Sequence, residues 1–194
     1  EGGLSSPGGY VMDSRPGFYS DVLVLDFKSL YPSIIRSFLI DPLGLFEGLV
    51  NSAGDTVPGF NEAHFDRQQH ILPGLLATLW QARDRAKRDA NAPLSRAIKI
   101  IMNAFYGVLG SNQCRFFDHR LSGSITLRGH QILTESRDYI ESLSDQSAIY
   151  TVIYGDTDSL FVWVQSSQSA PSASPELSAN LAGEDENIDT QGQQ

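Results

Sequence analysis

A lone cysteine, Cys114, rules out any disulfide within the chain, and with it the small stapled folds that depend on one. Cysteine this scarce fits a reducing interior, so the expected location is the cytoplasm. Long hydrophobic runs are missing as well: no apolar stretch approaches membrane-spanning length, and no membrane partner is expected. Glu1 opens no signal-peptide pattern, and without an initiating methionine the chain reads as a piece of a longer polypeptide. Basic residues are the minority, 14 against 23 acids, for a net charge of −9. The deficit is uneven. From Gln165 onward there are five acids and no bases, so residues 1–164 carry 18 acids, 14 bases and only −4. An acidic total argues weakly against nucleic acid, because local patches and not the sum decide binding. No internal repeat is present.

At 194 residues and 41% apolar, the chain suffices for one ordinary domain with a real core. Its organising stretch is Tyr154-Gly155-Asp156-Thr157-Asp158-Ser159. Two β-rich runs flank it, Tyr150–Ile153 and Leu160–Val164, so a β-hairpin with two carboxylates at its tip is expected. Residues two apart on a strand share a face, so Asp156 and Asp158 look toward one spot if pairing continues through them. Neighbouring acids repel unless a cation neutralises them, and hard oxygen ligands of this kind suit Mg²⁺. The competing reading is an ordinary solvated turn.

Residues 1–21 are loop-like, punctuated by glycine and proline. Val22-Leu23-Val24-Leu25 is apolar at every position, as a strand covered on both faces would be, and it ends in Asp26. That carboxylate is either a ligand on a rigid support or the cap of the next helix. Ser29–Arg36 reads as a tight turn into a helix, whose free N–H groups suit phosphate. Tyr31 beside them lies under a sugar or packs in the core. Residues 41–72, with five glycines and prolines before Gly59, form a turn-rich connection. Two helices follow, from Pro73 to about Asn91 and from about Pro93 to Gly107, joined tightly enough to pack antiparallel. At about 100° per residue, Lys99, Asn103 and Tyr106 share one face, and Ile98, Ile101 and Phe105 form the opposite packing face. Arg83, Arg85, Lys87, Arg88, Arg96 and Lys99 face only Asp84 and Asp89 between positions 83 and 99. Such a surface is either solvated or a phosphate clamp. A last helix spans about Gly123 to Ser142, with Arg128 and His130 structural, and a Ser-, Pro- and acid-rich tail from 165 to 194 has the composition of disorder.

Asp26-Phe27-Lys28-Ser29-Leu30-Tyr31-Pro32-Ser33-Ile34 resembles the first polymerase motif of family B DNA polymerases. Lys99-x-x-x-Asn103-x-x-Tyr106-Gly107 resembles the second, and Tyr154–Ser159 the third. The three occur in the family's order, and the similarity runs from about Gly8 to Val164, strongest to bacterial members.

The resemblance implies an α+β fold: a partial palm with an antiparallel sheet, plus a helical-hairpin fingers subdomain. Its divisions would be a lead-in at 1–21, palm at 22–72, fingers at 73–107, palm with the catalytic hairpin at 108–164, and the tail. It implies template-directed DNA synthesis by the parent enzyme, with primer–template DNA and dNTPs as partners and a nucleoid-associated location. A processivity factor is not readable. Two Mg²⁺ ions would be held by Asp26, Asp158 and the Phe27 carbonyl, with Asp156 a weaker neighbour. Ser29, Leu30, Arg83, Lys87, Lys99 and Asn103 would hold the triphosphate. Tyr31 would abut the deoxyribose and Tyr106 the nascent base pair. The family's Lys-Lys-x-Tyr segment is missing, so the piece would be inactive by itself. Two rivals stand: a metal-dependent glycosyltransferase using Asp156 and Asp158, and a non-catalytic fragment.

Overall fold

The computed structural model describes residues 8–50 and 54–166. Strand β1 (Val22–Asp26) pairs antiparallel with β5 (Ser159–Ser166), which pairs antiparallel with β4 (Ala148–Asp156), giving the sheet order β1-β5-β4. One face of this sheet carries Val152, Leu160 and Val162, all buried with Leu133 of α5 (His119–Ser142). Glu141 of α5 accepts the Val152 N–H at 3.0 Å, tying helix to sheet. The other end of α5 enters a larger core through Leu121 and Ile125, where α1 (Leu30–Ser37), α3 (Leu72–Arg88) and α4 (Ala92–Leu109) meet. One long helix therefore spans both cores and sets the sheet against the helical part. Asp118 starts it, accepting the Arg120 N–H at 2.8 Å, and the paired Arg120 guanidinium holds the Asp118 carboxyl below its usual range.

β1 is not covered on both faces, as its unbroken apolar run suggested. It is an edge strand, with Leu23, Val24 and Leu25 about half-exposed. The hairpin runs further than expected, through Gln165 and Ser166; the rest of the tail lies outside the described residues.

The stretch read as a turn-rich connection contains a helix, α2 (Pro42–Val50), and a small hairpin, β2 (Thr56–Pro58) with β3 (His64–Asp66). Glycine weakens helices, which is why Gly44 and Gly48 argued against one. Here Gly48 is needed for packing: a Cβ there would lie 2.1 Å from the His64 carbonyl oxygen, so only glycine lets α2 cross the hairpin.

α3 and α4 are joined by Asp89-Ala90-Asn91, with Ala90 in the left-handed region (φ 52°) and Asn91 accepting the Leu94 N–H at 3.1 Å. The buried stripe of α4 is Ile98, Met102 and Leu109 with Phe105 beside it, while Ile101 is half-exposed. Met102 takes the place assigned to Ile101, because the stripe follows i, i+4, i+7 and not i+3 from Ile98. α5 begins at His119, earlier than Gly123. Arg128 and His130 are held as structural groups: the Arg128 guanidinium lies 4.2 Å from the Phe38 ring, and His130 bonds the Gly8 carbonyl at 3.1 Å.

Candidate active site

The hairpin register decides how the acids meet. Asp26 lies opposite Ser159, and Ser159 lies opposite Asp156, so the three form one row across β1, β5 and β4. Directly paired residues share a face, and Asp26 and Asp156 are two strand spacings, about 9–10 Å, apart along the backbone. In the neighbouring row Leu160 and Gly155 are buried while Leu25 is about half-exposed, and Asp26 borders a groove of about 430 Å³ with Leu25, Phe27 and the α5 residues Ile132, Glu135 and Tyr139. Asp158 is not part of the ladder. Pairing stops at Asp156 and Ser159, leaving Thr157 and Asp158 as a two-residue turn with Thr157 at φ 51°. Simple i, i+2 alternation therefore does not bring the two tip acids together; the turn does.

The turn is fixed from two sides. The Phe27 N–H donates to the Asp158 carbonyl at 2.8 Å, joining the end of β1 to the tip. From the other side, the Thr157 N–H donates to the Tyr10 carbonyl at 2.8 Å and the Met12 N–H to the Gly155 carbonyl at 2.8 Å. A Cβ on Gly155 would lie 2.8 Å from the Met12 sulfur and 3.0 Å from Leu160. Gly155 is thus a strand residue kept small by its neighbours, and not a turn residue as its motif suggested. Residues 10–12, read as plain loop, support the hairpin tip. Only the Val11-Met12 pair among glycines and prolines could have signalled it.

Burial raises the Asp158 carboxyl pKa, the Asp26 charge adds to the rise, and Asp156 adds less; Lys99 pulls the other way. The two acids separated by 132 positions in sequence are therefore electrostatic neighbours. A partly buried carboxylate beside exposed acids is what a hard divalent cation can neutralise. Among the described residues no group of three or more His, Cys, Asp or Glu side chains is placed to hold a metal. The donor set fits Mg²⁺ all the same, since that ion commonly takes one or two carboxylates and fills its shell with water and phosphate.

Beside the acids, Ser29, Leu30, Tyr31, Asn103, Tyr106 and Asp158 line a cleft of about 270 Å³. Ser29 is left-handed (φ 54°) and makes no side-chain cap to α1; its Oγ accepts instead from Arg83 at 3.4 Å. Tyr31 and Tyr106 pack with ring centroids 4.8 Å apart. Burial, then Tyr106 and the two acids Asp158 and Asp156, push the Tyr31 phenol up to about 12. Its hydroxyl stays protonated at neutral pH, so Tyr31 acts as a wall or a hydrogen-bonding group and not as a base.

A second, larger cleft of about 660 Å³ opens between α3 and α4. Arg83, Lys87, Arg96 and Lys99 line it and no carboxylate does. Asn103 lines both clefts, so cation groove, tyrosine pair and Asp158 form one continuous path. Lys99 and Asn103 are exposed as their shared helix face required, whereas Tyr106 is drawn partly into the core. Ser29, Leu30, Tyr31, Arg83, Lys87, Lys99, Asn103, Tyr106 and Asp158 lie along this path; Asp26 and Phe27 border a separate groove against α5, joined to the path through the Phe27 N–H on the Asp158 carbonyl, and Asp156 lines neither cleft.

A model of DNA polymerase family B matches residues 5–182, further into the tail than the similarity noted above. DNA polymerase II of Escherichia coli (strain K12) is 58% identical over 170 residues, which cover 87% of this chain and 21% of that protein. The DNA polymerase alpha catalytic subunit of Xenopus laevis is 32% identical over 174 residues, covering 80% of this chain and 11% of its own length. A family B DNA polymerase structure from the archaeon Pyrobaculum calidifontis superposes with a TM-score of 0.64 at 29% identity, over 81% of this chain and 22% of that one. The chain thus spans about a fifth or less of the relatives it matches.

Proposed function

Because this chain belongs to DNA polymerase family B, we propose that it carries the nucleotide-binding half of a centre for template-directed DNA synthesis, transferring a nucleotide from a dNTP to a primer 3′-hydroxyl. The observation that carries this reading is the approach of Asp158 to Asp26 at one end of a path whose other end is a groove of four cations. A solvated charged face has no reason to end on a partly buried Asp158 beside Asp26, and a glycosyltransferase has none for the Lys99–Asn103–Tyr106 face.

Asp26, Asp158 and the Phe27 carbonyl would hold two Mg²⁺ ions, with Asp156 a weaker neighbour. Bound there, the ions would lower the pKa of the primer hydroxyl and neutralise the leaving pyrophosphate. The residues of the chain supply the rest. Arg83, Lys87 and Lys99 neutralise the triphosphate, Asn103 hydrogen-bonds it, and the Ser29 and Leu30 amides at the start of α1 offer N–H donors. Positioning and charge stabilisation are most of what phosphoryl-type transfer asks of a protein. Tyr31, held against Tyr106 and near the acids, stands where a ring abuts the sugar, and Tyr106 borders the new base pair.

A chimera tests the assignment: this chain's residues 8–166 replacing their counterpart in E. coli DNA polymerase II. It should extend a primer on a template, and a folded chimera that does not would sink the polymerase reading. The 194-residue chain alone is expected to show negligible extension and only weak, Mg²⁺-dependent nucleotide binding. Duplex DNA is held mainly by phosphate contacts, and a 1 Å misplacement of reacting groups costs roughly 100-fold. Clear templated extension by the isolated chain would refute that dependence.

In the same chimera Tyr31→Ala should raise ribonucleotide incorporation relative to deoxynucleotide, because it removes the ring that would clash with a 2′-hydroxyl. An unchanged sugar preference would return Tyr31 to a purely structural role.

A further inference from the structure

We propose that the seam between α1 and α3 forms a second phosphate site, taking a nucleotide phosphate beside the Trp80 ring. Two cations gather on that ring: the Lys28 ammonium lies 5.3 Å from its centroid and the Arg36 guanidinium carbon 5.1 Å. Neither makes an ion pair among the described residues. An indole attracts a cation, but two like charges on one indole repel each other, and an anion between them relieves the repulsion. A groove of about 480 Å³ opens beside Arg36 and Trp80, with Ser33, Ser37 and His70 also in its wall and no carboxylate, while Lys28 approaches the ring from outside that wall. His70 contributes an independent sign. Its Nδ1 is buried with no hydrogen-bond partner among the described residues, an arrangement that costs stability unless a ligand completes it.

The groove adjoins the basic cleft already described. Lys28 directly precedes Ser29, which accepts from Arg83, and Arg83 lies one helical turn beyond Trp80 on α3. The ligand chemistry is a phosphate of a nucleotide, supplied either by a single DNA strand or by a free polyphosphate. An aromatic ring flanked by cations is the usual means of holding single-stranded DNA without reading its sequence. The proposal rests on the DNA-synthesis reading only in favouring DNA as the source.

The test uses the full chain with Trp163→Phe, which leaves Trp80 the sole tryptophan. Its fluorescence is titrated at low salt, in EDTA, with a 12-nucleotide oligo(dT) and separately with inorganic tripolyphosphate. Chelation removes any contribution from a metal at the acids, so failure here and failure of the chimera are separate results. Oligo(dT) should perturb Trp80, and Lys28→Gln with Arg36→Gln should weaken its binding about tenfold and flatten the log K against log salt slope by about 1.4. Arg36→Lys, which keeps the charge, should retain most of the affinity and controls for folding. Arg137→Gln, on α5 and outside both grooves, should leave the signal intact. A response to tripolyphosphate alone would uphold the site with a free polyphosphate as its ligand. No response to either probe, or unchanged binding by the double glutamine variant, overturns the proposal.

Discussion

Asp158→Asn should abolish primer extension by the chimera, by about 1,000-fold or more, while making the chain more stable at neutral pH. The loss follows from removing a carboxylate that would hold a divalent ion, since such an ion contributes several kcal/mol of charge stabilisation in the transition state. The gain follows from the same electrostatics with opposite sign. Asp158 has a folded-state pKa raised first by burial and then by Asp26. A carboxyl with a raised folded pKa binds more protons folded than unfolded in the window between the two values. Stability therefore falls as pH rises through that window, and the deficit persists above it. Asparagine is neutral at every pH and should remove the deficit, raising Tm at pH 7 but not at pH 3. Mg²⁺ relieves the same repulsion, so it should raise the Tm of the unsubstituted chain and do less for the variant. A variant that extends primers normally would end the assignment of Asp158. One with lower Tm at pH 7 would show that Asp158 is not under charge strain.

The second large effect belongs to a residue outside the site. Asp41→Ala should destabilise the fold by about 3–5 kcal/mol, read from the midpoint of urea unfolding. Asp41 is 1% exposed and joins two helix starts. One oxygen accepts the Gly44 N–H of α2 at 2.9 Å; the other accepts the Ile71 and Leu72 N–H groups at the start of α3 at 3.1 and 2.7 Å. Alanine would orphan all three donors and remove a negative charge from two helix N-termini, each loss worth about 1 kcal/mol or more. Against a usual total of about 5–15 kcal/mol, that is a large fraction. Asparagine should fall between, because its amide nitrogen cannot accept on the second side. A loss under about 1 kcal/mol for alanine would mean that solvent or a shifted side chain satisfies those donors.

These residues differ in what the sequence reveals. The carboxylate tip, the turn into α1 and the basic helices were legible because each depends on local rules. β-rich apolar runs around Asp156 and Asp158 make a hairpin, a 3.6-residue period puts Lys99 beside Asn103, and Asn91-Ala92-Pro93 marks the break between two helices. Their order along the chain identified the family before any coordinates, since three motifs in sequence constrain far more than one. The sequence by itself thus determined the local elements of the proposed site and the family the chain belongs to.

Tertiary structure decided where those elements meet. Asp158 reaches Asp26 through a turn held by the Phe27 N–H on one side and Tyr10 on the other, contacts that no spacing encodes. The helix α2 forms in spite of Gly44 and Gly48 because backbone from residues 64–66 passes too close for any side chain. β1 reads as a buried strand yet lies at the sheet edge, because hydrophobicity records that a strand can be covered and not whether this chain covers it. Asp41 falls in a stretch that reads as a turn-rich connection, and only the fold shows that it caps both α2 and a second helix 31 positions away. Periodicity and turn chemistry act over a few residues, while convergence of charges, close backbone approach and burial depend on partners distant in the chain. The site is made of local parts, and packing brings them to one place.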